Sequence, residues 1–472
     1  MCLKLRVYAI LIGVKKSIFA IALCLWLLTY NSISALSAPV DDGGSKSEFL
    51  SMPIESNEVP NWPTGPEISA KAAILIEANT GVILYAKNVH EHMYPASTTK
   101  LMTALIAYEN SALDDIVNFS YDAVFSLEPG SSNIGIDPGQ AMDMEECLYG
   151  IMVGSANEVA NAIAEHVGGS MDGFADMMNA KVNSLGLKDT HFTNANGLQN
   201  EEHYTSAYDL AMIAKEFFSY EALTKIGNTP SYHFEATSTQ PDDFYVRNKH
   251  KLINGEVAYE GIKGGKTGYT SVANECLVTC DEQNGMKLIC VVMNEDSPKQ
   301  FYDTVTLFDY GYSNFQVMNV AENDNKYTIE STNLFPNTVD VLGNSSPILE
   351  LNKDDYIIMP KNVTFNELES KPDYNTKEAS SIAYIDYSYH GVYLGRGIVN
   401  LSSETYITSA FDKDLVLDKE VKEIERVKPI FVNVKIVTVF AGGLCLLVVL
   451  TTILLSAYTH RTEIRRRRRL RR

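Results

Sequence analysis

The chain of 472 residues has room for two or three domains, and 45% apolar residues suffice for well-formed cores. A formal net charge of −20 at pH 7 argues against a polyanionic partner, so nucleic acid is set aside. Seven cysteines over this length do not make a disulfide scaffold.

The N-terminus reads as a secretory signal over residues 1–37. Lys4, Arg6, Lys15 and Lys16 come first, then the apolar run "SIFAIALCLWLL", then small residues near Ala35, Ser37 and Ala38. Residues 38–68, rich in Ser, Gly, Pro and acids, read as a linker. "AAILIEANTGVILYAK" predicts a hairpin of two apolar strands around Asn79-Thr80-Gly81.

Pro95 then breaks the chain before a helix whose Leu101, Met102, Leu105 and Ile106 recur at helical spacing. Ser97 and Lys100 sit at its start, and no other serine has a lysine three positions on. That spacing puts both side chains on one helical face. A serine hydroxyl needs a base to become a nucleophile, and a lysine serves once its pKa is pulled down. A second cation and the positive end of a helix would both do that. A capping serine beside a solvated lysine is the ordinary alternative.

Helical patterns follow near 143–152, 156–167, 171–185 and 206–218. Ser155-Ala156-Asn157 opens one of them, although Ser-x-Asn also occurs at Ser131 and Ser331 and an N-cap explains it equally well. "YEGIKGGKTGYTS" holds Lys266-Thr267-Gly268, found nowhere else in the chain. Thr267 and Tyr269 favour a strand, and a lysine and a hydroxyl on its edge suit a substrate carboxylate. "SVANECLVTC" and "MKLICVVM" form a second hairpin around "DEQNG". A three- or five-residue loop there sets Cys276 opposite Cys290, with buried free thiols preferred to a bond for Cys147, Cys276, Cys280 and Cys290. "SPKQFYDTVTLFDYGYSNF" is an amphipathic helix. The order predicts an α/β domain over 69–315, with one antiparallel sheet holding its first and last strands.

From 316 to 411, "YTIEST", "TVDVLG", "YIIMP", "IAYIDYSY" and "GVYLGRGIVNL" predict a small β-rich domain without a reactive constellation. Residues 412–429 read as a stalk. Within 430–458, Ile436 to Tyr458 is apolar and spans roughly 34 Å as a helix, enough for a bilayer core. The basic tail 459–472 belongs on the cytoplasmic side. These ends predict a single-pass protein of the cell membrane, with the folded part extracytoplasmic. His90 and His92 flank Glu91 in what reads as an exposed loop, so no metal is assigned, and no cofactor is implied.

Taken in order, Ser-x-x-Lys, Ser-x-Asn and Lys-Thr-Gly resemble the motif set of penicillin-interacting enzymes. "AAILIEANTGVILYAKN", "YPASTTKLMTALIAYE", "GSSNIGIDPGQ", "LGLKDTHFTNANGL" and "HYTSAYDLAMIA" strengthen the resemblance. The chain is similar, over about 69–315, to the serine D-Ala-D-Ala carboxypeptidases, the low-molecular-mass penicillin-binding proteins. The resemblance implies a serine β-lactamase/transpeptidase-like α/β fold: an antiparallel sheet with flanking helices and a helical subdomain, before the small β-rich domain and transmembrane helix. It implies that Ser97 is acylated by the D-Ala-D-Ala carbonyl, with Lys100 as base and Ser155 and Asn157 relaying protons and holding substrate. Lys266 and Thr267 would bind the carboxylate, with Gly268 and Tyr269 completing that strand. The backbone N–H groups of Ser97 and Tyr269 would hold the oxyanion. The implied partners are peptidoglycan stem peptides ending in D-Ala-D-Ala, and β-lactams as covalent inhibitors. Some relatives carry an arginine after the strand ending at Met293; here Lys299 in "NEDSPKQ" is the available cation. The Glu-x-x-Leu-Asn segment of class A β-lactamases is missing. The remaining alternatives are a DD-endopeptidase acting on cross-links and a non-catalytic wall scaffold.

Overall fold

The structure, a computed structural model, describes residues 49–327, 329–330, 347–376 and 381–401. The predicted signal, stalk, span and tail lie outside these residues, as does "TVDVLG". No helix among the described residues is long and apolar enough to cross a membrane.

The central sheet has five antiparallel strands: β1 (Ala72–Glu77), β2 (Ile83–Lys87), β3 (Ile262–Thr270), β4 (Asn274–Gln283) and β5 (Met286–Glu295). Their order is β2-β1-β5-β4-β3, so the first strand pairs with the last. Every residue of β1 is buried, which explains its unbroken apolar run: both faces of the sheet are covered. Ile74, Ile76, Val278, Ile289 and Val291 face one core, while Leu75, Leu84, Leu277, Leu288 and Val292 face another.

The first core belongs to the helical subdomain, which includes α1 (Lys100–Asn110), α2 (Asn157–Gly168), α3 (Met171–Ser184) and α4 (Ala207–Phe217). The sequence suggests one buried face for α1, but every residue from Lys100 to Ala107 is buried. Alanines on the remaining sides allow this close packing. A short helix at Glu221–Gly227 escaped the periodic pattern because seven residues make only two turns.

The second core lies beneath α5 (Lys299–Asn314) and continues into the next sheet through Phe315, Ile357, Ile385 and Val399. That sheet includes Phe315–Asn319, Tyr356–Pro360, Ser381–Tyr389 and Val392–Leu401. Tyr356 joins the two sheets, its hydroxyl 3.3 Å from Glu77 Oε1 and 2.7 Å from Asn79 Nδ2.

Two sequence expectations need correction. The segment read as a linker is part of the fold towards its end. Trp62 is buried against Phe315 and donates to Leu84 O (3.0 Å), and Ile68 O accepts from the buried Lys87 (2.8 Å). The β4–β5 turn has two residues, Asn284 and Gly285, both with positive φ, because Gln283 pairs with Met286. Cys290 therefore faces Thr279, and Cys276 faces Gly268 instead of Cys290. Cys147, Cys276, Cys280 and Cys290 are free and buried.

Candidate active site

Ser97 does not lie on α1 itself. It sits in a single 3₁₀ turn, Ala96–Thr99, that runs directly into α1 at Lys100. In a 3₁₀ turn residues i and i+3 eclipse, so the two side chains align more closely than an α-helix would bring them. Lys100 Nζ is 2.9 Å from Ser97 Oγ. The turn is reached through Ala96 at φ 48°, a left-handed conformation that costs a non-glycine residue about 1–3 kcal/mol. Gly197 lies against it, and a Cβ there would fall 1.9 Å from Ala96 O. The nucleophile turn and the 194–198 loop are thus fitted to each other.

Lys100 is completely buried and also donates to Asn157 Oδ1 (2.7 Å) and Asn196 O (2.6 Å). Burial holds its pKa well below the usual lysine range, and the nearby Lys266 ammonium lowers it further, with Glu158 opposing. The second cation expected from the sequence is therefore present, but desolvation is the larger cause.

Ser155 is not the predicted N-cap. A π-helical turn, Gly150–Gly154, ends at Ser155 with φ 58°; α2 then begins at Asn157, with Ala156 as its cap. This irregular turn swings the Ser155 hydroxyl towards β3, where it accepts from Lys266 Nζ at 3.0 Å. Asn157 turns its side chain to Lys100, so the two ends of Ser-x-Asn each hold one lysine. Lys266 is 2% exposed, and burial with repulsion from Lys249 lowers its pKa to about 7.

β3 brings the third motif to the nucleophile. A Cβ added to Gly268 would lie 2.8 Å from Pro95 O and 3.0 Å from Ser97 N, so only glycine permits this approach. Ser97, Ser155, Thr267, Gly268 and Tyr269 line one cleft of about 320 Å³. Lys100, Asn157 and Lys266 are buried; the two lysines reach the Ser97 and Ser155 hydroxyls, and Asn157 holds Lys100.

Several functional neighbours were not singled out from the sequence. Ser132, Lys249 and Lys251 also line the cleft, whereas Lys299 does not. Lys249 Nζ donates to Ser132 Oγ (2.9 Å), and Ser132 O accepts from Asn157 N (2.9 Å). The buried Glu158 carboxylate holds the same loop by accepting from Ile134 N (2.6 Å) and Gly135 N (3.1 Å). His250, also buried, lies under Gly265 with Nε2 2.9 Å from Thr279 Oγ1; burial drives its pKa down to about 3. "GSSNIG" and "NANG" carried a resemblance to the family but no spacing rule that points to Lys100. His90 Nδ1 and His92 Nε2 lie 2.8 and 3.5 Å from Asp189, on the surface and apart from the cleft residues. Among the described residues no group of three or more His, Cys, Asp or Glu side chains is placed to hold a metal.

A serine with a desolvated lysine, backed by a second serine–lysine pair and facing a glycine-lined strand edge, defines an acyl-transferring serine hydrolase of the penicillin-recognising kind. The profile of the peptidase family D-alanyl-D-alanine carboxypeptidase matches residues 59–297, and the chain belongs to that family. It is 40% identical over 252 residues to the D-alanyl-D-alanine carboxypeptidase DacF of Bacillus subtilis, covering 52% of this chain and 63% of DacF. It is 31% identical over 291 residues to the D-alanyl-D-alanine carboxypeptidase DacD of Escherichia coli, covering 60% of this chain and 73% of DacD. Among solved structures it is similar to penicillin-binding protein 5 from Haemophilus influenzae, with a TM-score of 0.58, 25% identity, and coverage of 72% of this chain and 98% of that one.

Proposed function

We propose that the chain is a serine-type D-alanyl-D-alanine carboxypeptidase that removes the terminal D-alanine from peptidoglycan stem peptides. The observation that carries this reading is the Lys100–Ser97 contact, with Lys100 buried and its pKa held down. As a neutral amine Lys100 takes the Ser97 proton while Oγ attacks the penultimate D-alanine carbonyl. The N–H groups of Ser97 and Tyr269 receive the developing oxyanion. The proton passes to the leaving D-alanine nitrogen; Ser155, on the Lys266 ammonium, stands next to that path. Water then attacks the acyl-enzyme and restores Ser97.

The terminal carboxylate is received by Thr267 and by the cationic cleft wall, where Lys249 supplies what an arginine after Met293 would. A β-lactam acylates Ser97 by the same attack and leaves slowly. We place the enzyme outside the cell, held by the apolar segment within 430–458, with the arginine tail in the cytoplasm.

The decisive experiment is Ser97→Ala in the full chain. Loss of both D-alanine release and covalent penicillin labelling is expected, and retention of either overturns the assignment.

A further inference from the structure

The cleft does not stop at Thr267. Lys251, Glu275, Ser297, Gln300 and Phe301 line the same cleft, and we call this part of it the arm. Glu275 stands on β4 directly opposite Tyr269, so the arm opens beside the strand that faces Ser97. Gln300 opens the first turn of α5 and is 2% exposed, yet its Oε1 has no hydrogen-bond partner. A buried amide oxygen without a donor is costly, and a donor brought by a ligand in the cleft would relieve that cost. Glu275 is half-buried; burial raises its pKa, against a hydrogen bond from Ser297 and the charge of Lys251.

Two acceptors lining one arm, one without a donor, select for N–H donors, and a carboxylate selects for a charged one. Lys251 adds the opposite charge, its Nζ 5.8 Å from the centre of the Phe301 ring. We propose that the arm is a subsite for the zwitterionic head group of an amino acid, its ammonium taken by Glu275 and Gln300 Oε1 and its carboxylate by Lys251. This rests on the carboxypeptidase reading and adds a specificity determinant to it. Such a head group has two sources: the unlinked end of a diamino acid in a stem peptide, or a free D-amino acid such as released D-alanine.

The test uses a stem peptide ending in D-Ala-D-Ala whose diamino residue carries a free head group. The same peptide with that amine acetylated and its carboxyl amidated serves as the comparison. Wild type, Glu275→Gln and Gln300→Met are compared by the ratio of kcat/KM on the two peptides. Inhibition by D-alanine, against N-acetyl-D-alanine, is measured on the masked peptide. A preference of about tenfold for the free head group, lost in both variants, is expected for a tethered source. Selective inhibition by D-alanine that both variants lose, with an unchanged ratio, assigns the arm to the free amino acid. If neither quantity responds to Glu275→Gln, the subsite is overturned; that isosteric change decides alone should Gln300→Met not fold. Release of D-alanine from the masked peptide by the wild type is followed separately, so failure of the carboxypeptidase reading appears as absence of that release.

Discussion

Gly268 and Ser97 meet backbone to backbone: the space for a Gly268 side chain is already filled by Pro95 O and the Ser97 and Thr98 amides. Two segments 171 positions apart are thereby set within reach of one acyl group. Gly268→Ala is expected to push β3 off the nucleophile turn and slow penicillin acylation of Ser97 by about 100-fold. Stopped-flow labelling with a fluorescent penicillin measures this; an unchanged rate would show that the contact is dispensable.

Lys100→Arg keeps a cation but cannot supply a neutral amine, since a guanidinium stays protonated. Acylation should fall by about 10²–10⁴-fold, the range attributed to a positioned base. Circular dichroism establishes whether the variant folds. Rates near those of wild type would remove Lys100 from the role of base.

The two buried lysines also set a pH profile. Lys100 acts when neutral, so acylation rises with pH through its lowered pKa. Lys266 attracts a carboxylate when protonated and loses that charge around pH 7. Lys249→Gln removes the repulsion that helps to depress Lys266, so its pKa should rise and the alkaline limb of kcat/KM should move to higher pH. A limb that stays in place or moves down contradicts the assignment.

Glu295, at the end of β5 and 2% exposed, has its pKa raised by burial and by the Asp303 carboxylate. The folded state therefore holds a proton that the unfolded chain releases above pH 4.5, and stability must fall as pH rises from there through the raised pKa. Glu295→Gln should flatten this part of the profile. Chemical denaturation across pH 5 to 9 is the measurement, and an unaltered slope would assign the effect elsewhere.

Leu105 is fully buried in α1, within the core of the helical subdomain. Leu105→Ala should cost about 3 kcal/mol through lost burial and the cavity left behind. A loss below about 1 kcal/mol in urea unfolding would mean that the site collapses around the gap.

Much of this was legible in the sequence because it depended on local periodicity. The β1–β2 hairpin, helices α1 to α5 and the position of β3 each follow from apolar spacing and turn residues. The three motifs were legible as a set. What escaped was non-local. Ala96 and Ser155 adopt left-handed backbone that their residue types do not announce. Asn196 reaches Lys100 with a carbonyl, a group that every residue carries. Lys249 and Lys251 come from a loop whose residues look like ordinary surface charges. The cysteine register failed on one detail, the length of the β4–β5 turn.

Three of the thiols in the described residues sit inside the five-stranded sheet, and burial raises the pKa of Cys276 and Cys280 to about 12 and that of Cys290 higher still. Alkylating reagents attack thiolates, so these sulfurs stay silent for as long as the strands remain paired. Their rate of modification is thus a built-in clock for the breathing of β4 and β5, readable without any engineered probe.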